Sequence, residues 1–229
     1  GRPQNVCSVP CAFAQIASAE PRGRTTRSAC ACVRDPKSVA RGPERVRVRG
    51  VVAGGVKVTS TVLAAILSLL PAPPATWTET PDDYRARVSV IAEAIAAETP
   101  DRYWALGVVT VFWHESHFRR SVHAGTRRVD HGRAICLGQH QRNGRPREQW
   151  EALAGVDADA TRRCARATYR TLRRAQGWCS QWGGVRAGIL PTFTAYGTGR
   201  TCAASRAAHP EWFYARAATH ARLVRRFGS

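Results

Sequence analysis

No methionine occurs in the 229 residues, and acids are scarce: 16 Asp and Glu stand against 35 Lys and Arg. The formal charge of +19 excludes an acidic, solvating chain and implies attraction to polyanions, whether nucleic acid, anionic lipid or an acidic cell wall. It is silent about fold. The bases are overwhelmingly Arg and are dispersed rather than massed in one block, a bias that a GC-rich coding sequence also produces. No apolar run reaches the ~20 residues that a membrane-crossing helix needs, so no stable membrane span is expected. Strand-like alternation is missing beyond the first apolar helices, which excludes a mainly β domain. In a chain without methionine, translation is expected to start at a valine-coded position near Val51, Val56 or Val58, leaving residues 1–50 as an over-extended reading frame.

Residues 1–50 are rich in Arg, Ser, Pro and Ala and show no sustained period of 2 or 3.6, so they read as a disordered basic segment. The alternative for them is a basic tail on nucleic acid. From Lys57 to Ala75 one positive residue precedes an apolar run and then Pro71-Ala72-Pro73-Pro74. That order fits a secretory signal peptide, with cleavage near Ala72 or Ala75. A buried core helix is the competing reading, and residues 51–75 form the second segment of the chain on either view. Export agrees with the cysteines, whose even number of 8 favours disulfides. Cys7, Cys11, Cys30 and Cys32 form one group, for which a zinc ribbon is the alternative. Cys136, Cys164, Cys179 and Cys202 form another, too widely spaced for ordinary zinc ligand pairs. Four cysteines allow three connectivities; the one expected joins Cys179 to Cys202, bracketing Tyr196, and Cys136 to Cys164.

Thr80-Pro81-Asp82-Asp83 carries a capping hydroxyl, Pro at the first helical position and acids in the first turn, and so starts a helix. Tyr84, Val88, Ile91, Ala92 and Ile95 give it an apolar face. Thr99-Pro100-Asp101 repeats the device, and the two helices are expected to form a helical hairpin. On the second, Trp104, Val108, Val111 and Phe112 share one face, and one further turn of that face reaches Glu115. A carboxylate at the end of a buried stripe either pairs with a cation or keeps its proton because desolvation raises its pKa. A protonated carboxylic acid near neutral pH can serve as a general acid. The bland alternative has Glu115 reaching solvent beside Arg119 or Arg120.

His114, His117, His123, His131 and His140 crowd this region. A zinc-protease helix needs histidines at i and i+4 around the Glu. Here position 118 is Phe and the second histidine stands at i+3, so these histidines are expected at the surface or behind the site. Further helices are expected over 157–176, stopped by Gly177-Trp178-Cys179, over 184–196 with Pro191 kinking or ending it, and over 210–227 with Phe213, Ala217, His220 and Val224 on one stripe. The fold class is therefore mainly α.

Glu115-Ser116-His117-Phe118, then Cys136-Leu137-Gly138-Gln139, then Ala195-Tyr196-Gly197-Thr198-Gly199 follow in an order and spacing that resemble the lysozyme-like domain of soluble lytic transglycosylases, phage and bacterial cell-wall relatives included. That family carries Glu-Ser-x-Phe at a helix end, a Gly-Leu-Met-Gln-like turn and an Ala-Tyr-Asn-x-Gly-like segment. The chain differs at Cys136 (usually Gly), Gly138 (usually Met) and Gly197 (usually Asn). The resemblance covers Pro81 to Phe227, and residues 76–229 are the expected lysozyme-like domain.

The resemblance implies cleavage of the bond between N-acetylmuramic acid and N-acetylglucosamine in peptidoglycan, with Glu115 as acid and then base. Ser116, Leu137, Gly138, Gln139 and Tyr196 would then be substrate-binding residues, and no metal or cofactor is needed. Gln139 offers both donor and acceptor to an acetamido group. An ordinary glycosidase needs a second carboxylate, for which Asp130 and Glu148 are the candidates; Asp130 keeps lysozyme-type hydrolysis open. A non-catalytic wall- or nucleic-acid-binding module and a zinc peptidase are the remaining alternatives. The expected protein is a monomer, secreted or in the cell envelope, of phage or host origin, with nonspecific polyanion binding beside its wall substrate.

Overall fold

The computed structural model describes residues 53–99, 101–128, 130–183, 189, 192–198 and 210–229. The chain divides into two units, Gly1–Arg47 and Val48–Ser229, and the described residues all belong to the second. The basic segment 1–50, expected to lack order, lies outside the described residues.

The second unit is mainly helical, as its periodicity requires. Its described elements are α1 (Ala53–Leu69), α2 (Pro81–Glu98), α3 (Arg102–Ser116), the one-turn α4 (Arg120–His123), a hairpin of β1 (Ala134–Ile135) and β2 (His140–Gln141), α5 (Arg147–Glu151), α6 (Ala158–Gly183), α7 (Thr192–Thr198) and α8 (Pro210–Phe227). The strands are antiparallel, with Ala134 opposite Gln141 and Ile135 opposite His140.

Helix α2 begins as its sequence dictates: the Thr80 hydroxyl accepts from the Asp83 amide, and Pro81 opens the helix. Helix α3 is capped by Asp101, which accepts from the Tyr103 amide at 2.7 Å, while Thr99 closes α2. The two do not pack as a plain hairpin. Helix α2 lies mainly on α1 and α6, whereas α3 lies on α1 and α8. Every residue of α3 from Trp104 to Phe112 is buried, so its apolar surface runs all round and the helix is the centre of the core. Gly107 lets a neighbour come close: a Cβ there would sit 2.0 Å from Ile189 Cδ1.

The signal-like run folds as α1, with Val62, Ala65 and Ile66 fully buried. This is the place a buried core helix would have, and the boundary expected between residues 75 and 76 falls inside the compact unit. The prolines after α1 make a connector that is tied down. The Tyr84 hydroxyl donates to the Leu70 carbonyl at 2.6 Å, and Arg87 grips buried Glu79 through two nitrogens at 2.7 Å each. Among the described residues, no helix is long and apolar enough to cross a membrane.

Helix α6 runs past Gly177-Trp178-Cys179, the expected stop, to Gly183. The reason is tertiary: Ala175 and Cys179 form a small buried cluster with Ala195 of α7, which holds the extra turns. Its inward face reads Thr161, Cys164, Ala165, Thr168, Leu172, Ala175 and Cys179, a helical period in which the polar members all meet partners. Cys164 is bonded to Cys136, joining the turn of the hairpin to α6. Residues 184–188 and Cys202 lie outside the described residues, and with them the expected helix start near Gly184 and the Cys179–Cys202 pairing. Helix α7 begins directly after Pro191.

The bridge closes a loop with a sequence separation of 28, and both cysteines are fully buried. Replacing both by Ala is expected to cost roughly 3–4 kcal/mol on the loop-entropy scale. Urea unfolding of the double variant checks this; an unchanged midpoint would show that the hairpin is held without the bridge.

Candidate active site

Glu115 sits in the last turn of α3, where the buried helix reaches the wall of a cleft of about 990 Å³. The cleft is lined by Glu115 and His114 from α3, Asp130, Gln139, His140 and Gln141 from the hairpin region, Arg174, Ala175 and Trp178 from α6, Tyr196 from α7 and Arg216 from α8, among others. Three of the segments singled out in the sequence thus meet at one cavity.

The partner of Glu115 is Arg216, not Arg119 or Arg120: Arg216 Nη2 donates to Glu115 Oε1 at 2.6 Å. Their side chains are 8% and 18% exposed respectively. Burial raises the Glu115 pKa from its ordinary value, and the charge and hydrogen bond of Arg216 oppose the rise without cancelling it. Arg216 was missed in the sequence because it stands 101 residues away. Its signal was there, though: it lies three, four and seven positions before Thr219, His220 and Leu223, on the buried stripe of α8.

Helix α3 ends without glycine. His117 and Phe118 take left-handed backbone, with φ of 50° and 56°, and His117 donates its amide to the Trp113 carbonyl. All described non-glycine residues with positive φ fall between His117 and Asn143, and Asp130, Gln139 and Asn143 among them line the cleft. Such conformations are costly and persist where the surroundings impose them, commonly at functional sites.

The expected substrate residues divide. Gln139 is in the cleft wall; its Nε2 donates to the Cys136 carbonyl at 3.1 Å, and its Oε1 is shut off from solvent with no hydrogen bond among the described residues. Tyr196 is in the wall as well, but its hydroxyl donates to the Gly138 carbonyl at 2.6 Å. Burial, with the Glu115 charge adding to it, pushes the phenol well above its usual range, so it stays neutral. Ser116, Leu137 and Gly138 are not in the cleft lining. The Ser116 hydroxyl donates to the Phe112 carbonyl and accepts from the Phe118 amide, and so shapes the helix end. Leu137 is in the core, fully buried.

Packing around position 138 leaves room for glycine alone. A Cβ there would lie 2.3 Å from Thr168 Oγ1, 2.8 Å from the Tyr196 hydroxyl and 3.1 Å from His140 Nε2. Those three groups form one network, with His140 Nε2 and Thr168 Oγ1 2.9 Å apart. No side chain fits. Gly138→Ala is expected to destabilise the fold by about 1–3 kcal/mol through overpacking. The loss should shrink in a Thr168→Ala background, read by urea unfolding as a double-mutant cycle; equal losses in both backgrounds would count against the clash.

Of the two carboxylates considered beside Glu115, only Asp130 lines the cleft. It accepts from Gln141 Nε2 at 2.8 Å and from Arg133 Nη2 at 3.3 Å. Glu148 is exposed on α5. Trp178, 46% exposed, and Arg145 and Arg174 complete a basic, partly aromatic rim that sequence reasoning did not assign to the site.

Protein-family models, curated proteins and solved structures were compared with the chain. Nothing matches it.

The histidines fall at separate places. His114 Nε2 lies 3.0 Å from Thr219 Oγ1 beside the cleft. His123 is buried against Thr161, His140 against Thr168, while His117 stacks edge-on against Trp113 and His131 is exposed in a turn. Among the described residues no group of three or more His, Cys, Asp or Glu converges as metal ligands would.

Burial pushes His123 and His140 down to about 3 and His114 down to about 4, with the nearby arginines adding to each. The fold thus holds these rings neutral, and the stability they contribute is present above the unfolded value near 6.5. It is lost as pH falls from there towards the folded values. Unfolding is expected to take up protons as pH falls below about 6.5. Urea titrations across that range check this; His123→Gln and His140→Gln should each flatten the slope, and a flat parent profile would refute it.

Proposed function

We propose that the protein is a lytic transglycosylase of peptidoglycan, with a lysozyme-like helical domain and Glu115 as its single acid and base. The observation that carries the reading is a largely buried carboxyl in the wall of a cleft of about 990 Å³, where burial raises its pKa; the volume is at the upper end of ligand pockets. Protonated Glu115 gives its proton to the bridging O4 as the C1–O4 bond of N-acetylmuramic acid breaks. The muramyl 6-hydroxyl oxygen then bonds to C1, and its proton passes to the Glu115 carboxylate. The product is a 1,6-anhydro sugar; no water is consumed and Glu115 ends protonated.

The remaining lining suits such a substrate. The bond from Gln139 Nε2 to the Cys136 carbonyl fixes the amide in the cleft wall, within the segment that would face an acetamido group. Exposed Trp178 offers an apolar face to a sugar ring. Arg145 and Arg174 supply positive charge for carboxylates borne by the strand. Tyr196 acts through another group: by holding the Gly138 carbonyl it positions the turn that carries Gln139.

Asp130 in the same cleft favours a second reading, a muramidase that hydrolyses the bond with Asp130 as partner. Mass spectrometry of peptidoglycan digested by the full chain separates the two. Anhydro-muropeptides that vanish with Glu115→Gln support the transglycosylase; reducing-end products support the hydrolase. A folded chain that releases neither, across pH and substrate sources, overturns both in favour of a binding module.

A further inference from the structure

A second cavity, of about 340 Å³, lies away from the cleft residues, between the connector that follows α1 and the segment around α4. It is lined by Thr76, Trp77, Thr78 and Glu79 on one side and by Arg119, Arg120, Ser121 and Arg127 on the other. The charge balance is lopsided. Among the described residues Glu79 is the one acid in the lining, and both its oxygens are held at 2.7 Å by Arg87, whose side chain is buried. Arg120 reaches Glu79 only at 4.0 Å and is half exposed. Among the described residues, neither Arg119 nor Arg127 has a carboxylate partner, and the Nε of Arg119 is shut off from solvent without an acceptor.

Three guanidinium groups around one concavity repel one another unless an anion lies between them. Their planar donor forks match oxyanions better than any other ligand class. The hydroxyls of Thr76, Thr78 and Ser121 add donors that no described group of the chain uses, and Trp77 gives the cavity one apolar wall. The volume is at the small end of ligand pockets, larger than a bare ion needs.

We propose that this cavity is a binding site for a phosphate-class oxyanion, free or as a small phosphomonoester, separate from the Glu115 cleft. Three cations with one neutralised acid favour a dianion over a monocarboxylate. The hydroxyls suit a tetrahedral group, which offers acceptors in more directions than a planar one. Arg120 and Arg127 close on the oxygens from the exposed side, and Arg119 adds its charge to the wall. The site is independent of the catalytic reading and stands or falls without it.

Isothermal titration of the full chain with inorganic phosphate, and separately with glycerol 1-phosphate, tests this at constant ionic strength. One saturable site is expected, with succinate binding much more weakly. Arg120→Gln combined with Arg127→Gln should weaken binding by about tenfold or more, each guanidinium contributing a charge-assisted hydrogen bond. Both positions are exposed, so the variant should fold; its far-ultraviolet circular dichroism is recorded beside the titration. Arg162→Gln with Arg170→Gln, two exposed positions on α6, removes the same charge elsewhere and should leave the affinity unchanged. Tighter binding of the ester assigns it as the ligand, and tighter binding of phosphate assigns the free ion. The proposal is overturned if no saturable binding occurs, if succinate binds as well as phosphate, or if the two double variants lose affinity equally.

Discussion

Glu115→Gln is expected to lower the rate of glycan-strand cleavage by about 10²–10⁴-fold, the usual contribution of a positioned general acid and base. Glutamine keeps the shape and an oxygen for Arg216 Nη2, but it can neither give the proton nor take one back. The loss should therefore fall on the rate of the chemical step, with strand binding nearly unchanged. The parent's pH profile supplies a second signature. Burial raises the Glu115 pKa, so the acid stays loaded above the ordinary carboxylate range, and the rate should decline as pH rises through the elevated value. The buried histidines destabilise the fold in acid, so the usable window is closed from below by unfolding and from above by loss of the proton. Asp130→Asn is the companion variant. Its amide oxygen can still accept from Gln141, and a fall of less than about tenfold would agree with anhydro products. A fall as large as that of Glu115→Gln would move the assignment to hydrolysis.

Beginning the chain at Thr76 is expected to abolish cooperative folding. Helix α1 contributes Val58, Val62 and Ile66 to the core at 6%, 0% and 0% exposure. Each such side chain is worth about 1.5–3 kcal/mol of burial. Together they approach the whole net stability of an ordinary domain, about 5–15 kcal/mol. The cut also removes the Leu70 carbonyl that receives the Tyr84 hydroxyl, leaving that hydroxyl without its acceptor. A chain starting at Val48 should unfold in one sharp transition with urea, and one starting at Thr76 should show a broad transition or aggregate. If the shorter chain unfolds sharply at a similar midpoint, α1 is dispensable and its removal as a signal peptide becomes straightforward.

What could be read from the sequence was what is local. Thr80 and Pro81 mark a helix start because capping needs only a hydroxyl and a proline a few residues apart. Glu115 could be found because the stripe from Trp104 to Phe112 points to it along one helix. The contacts that shape its chemistry are long-range. Arg216 comes from the last helix, and the Tyr196–Gly138 and His140–Thr168 hydrogen bonds each span many residues. Periodicity could not foresee the left-handed residues of the hairpin turn, Cys136 at φ 61° and Gln139 at φ 52°, because neither is a residue type that announces such a turn. The end of α6 was misplaced for the same reason: Gly177 looks like a stop until Ala195 arrives from α7 to meet Cys179. In the run from Val58 to Leu70, a leader and a core helix have the same composition, and only packing distinguishes them.

Helix α6 works as a spacing gauge. Thr161 meets His123, Cys164 holds the hairpin turn, Thr168 meets His140, and Thr171, Arg174, Ala175 and Trp178 reach the cleft. Apart from the adjacent Arg174 and Ala175, each is about one turn beyond the last, and one residue inserted into a helix rotates everything after it by about 100°. A single insertion between Cys164 and Thr168 would swing the cleft wall away from the hairpin while leaving every side chain chemically intact. Reading frames of related chains should therefore conserve the length of this stretch more strictly than its residues.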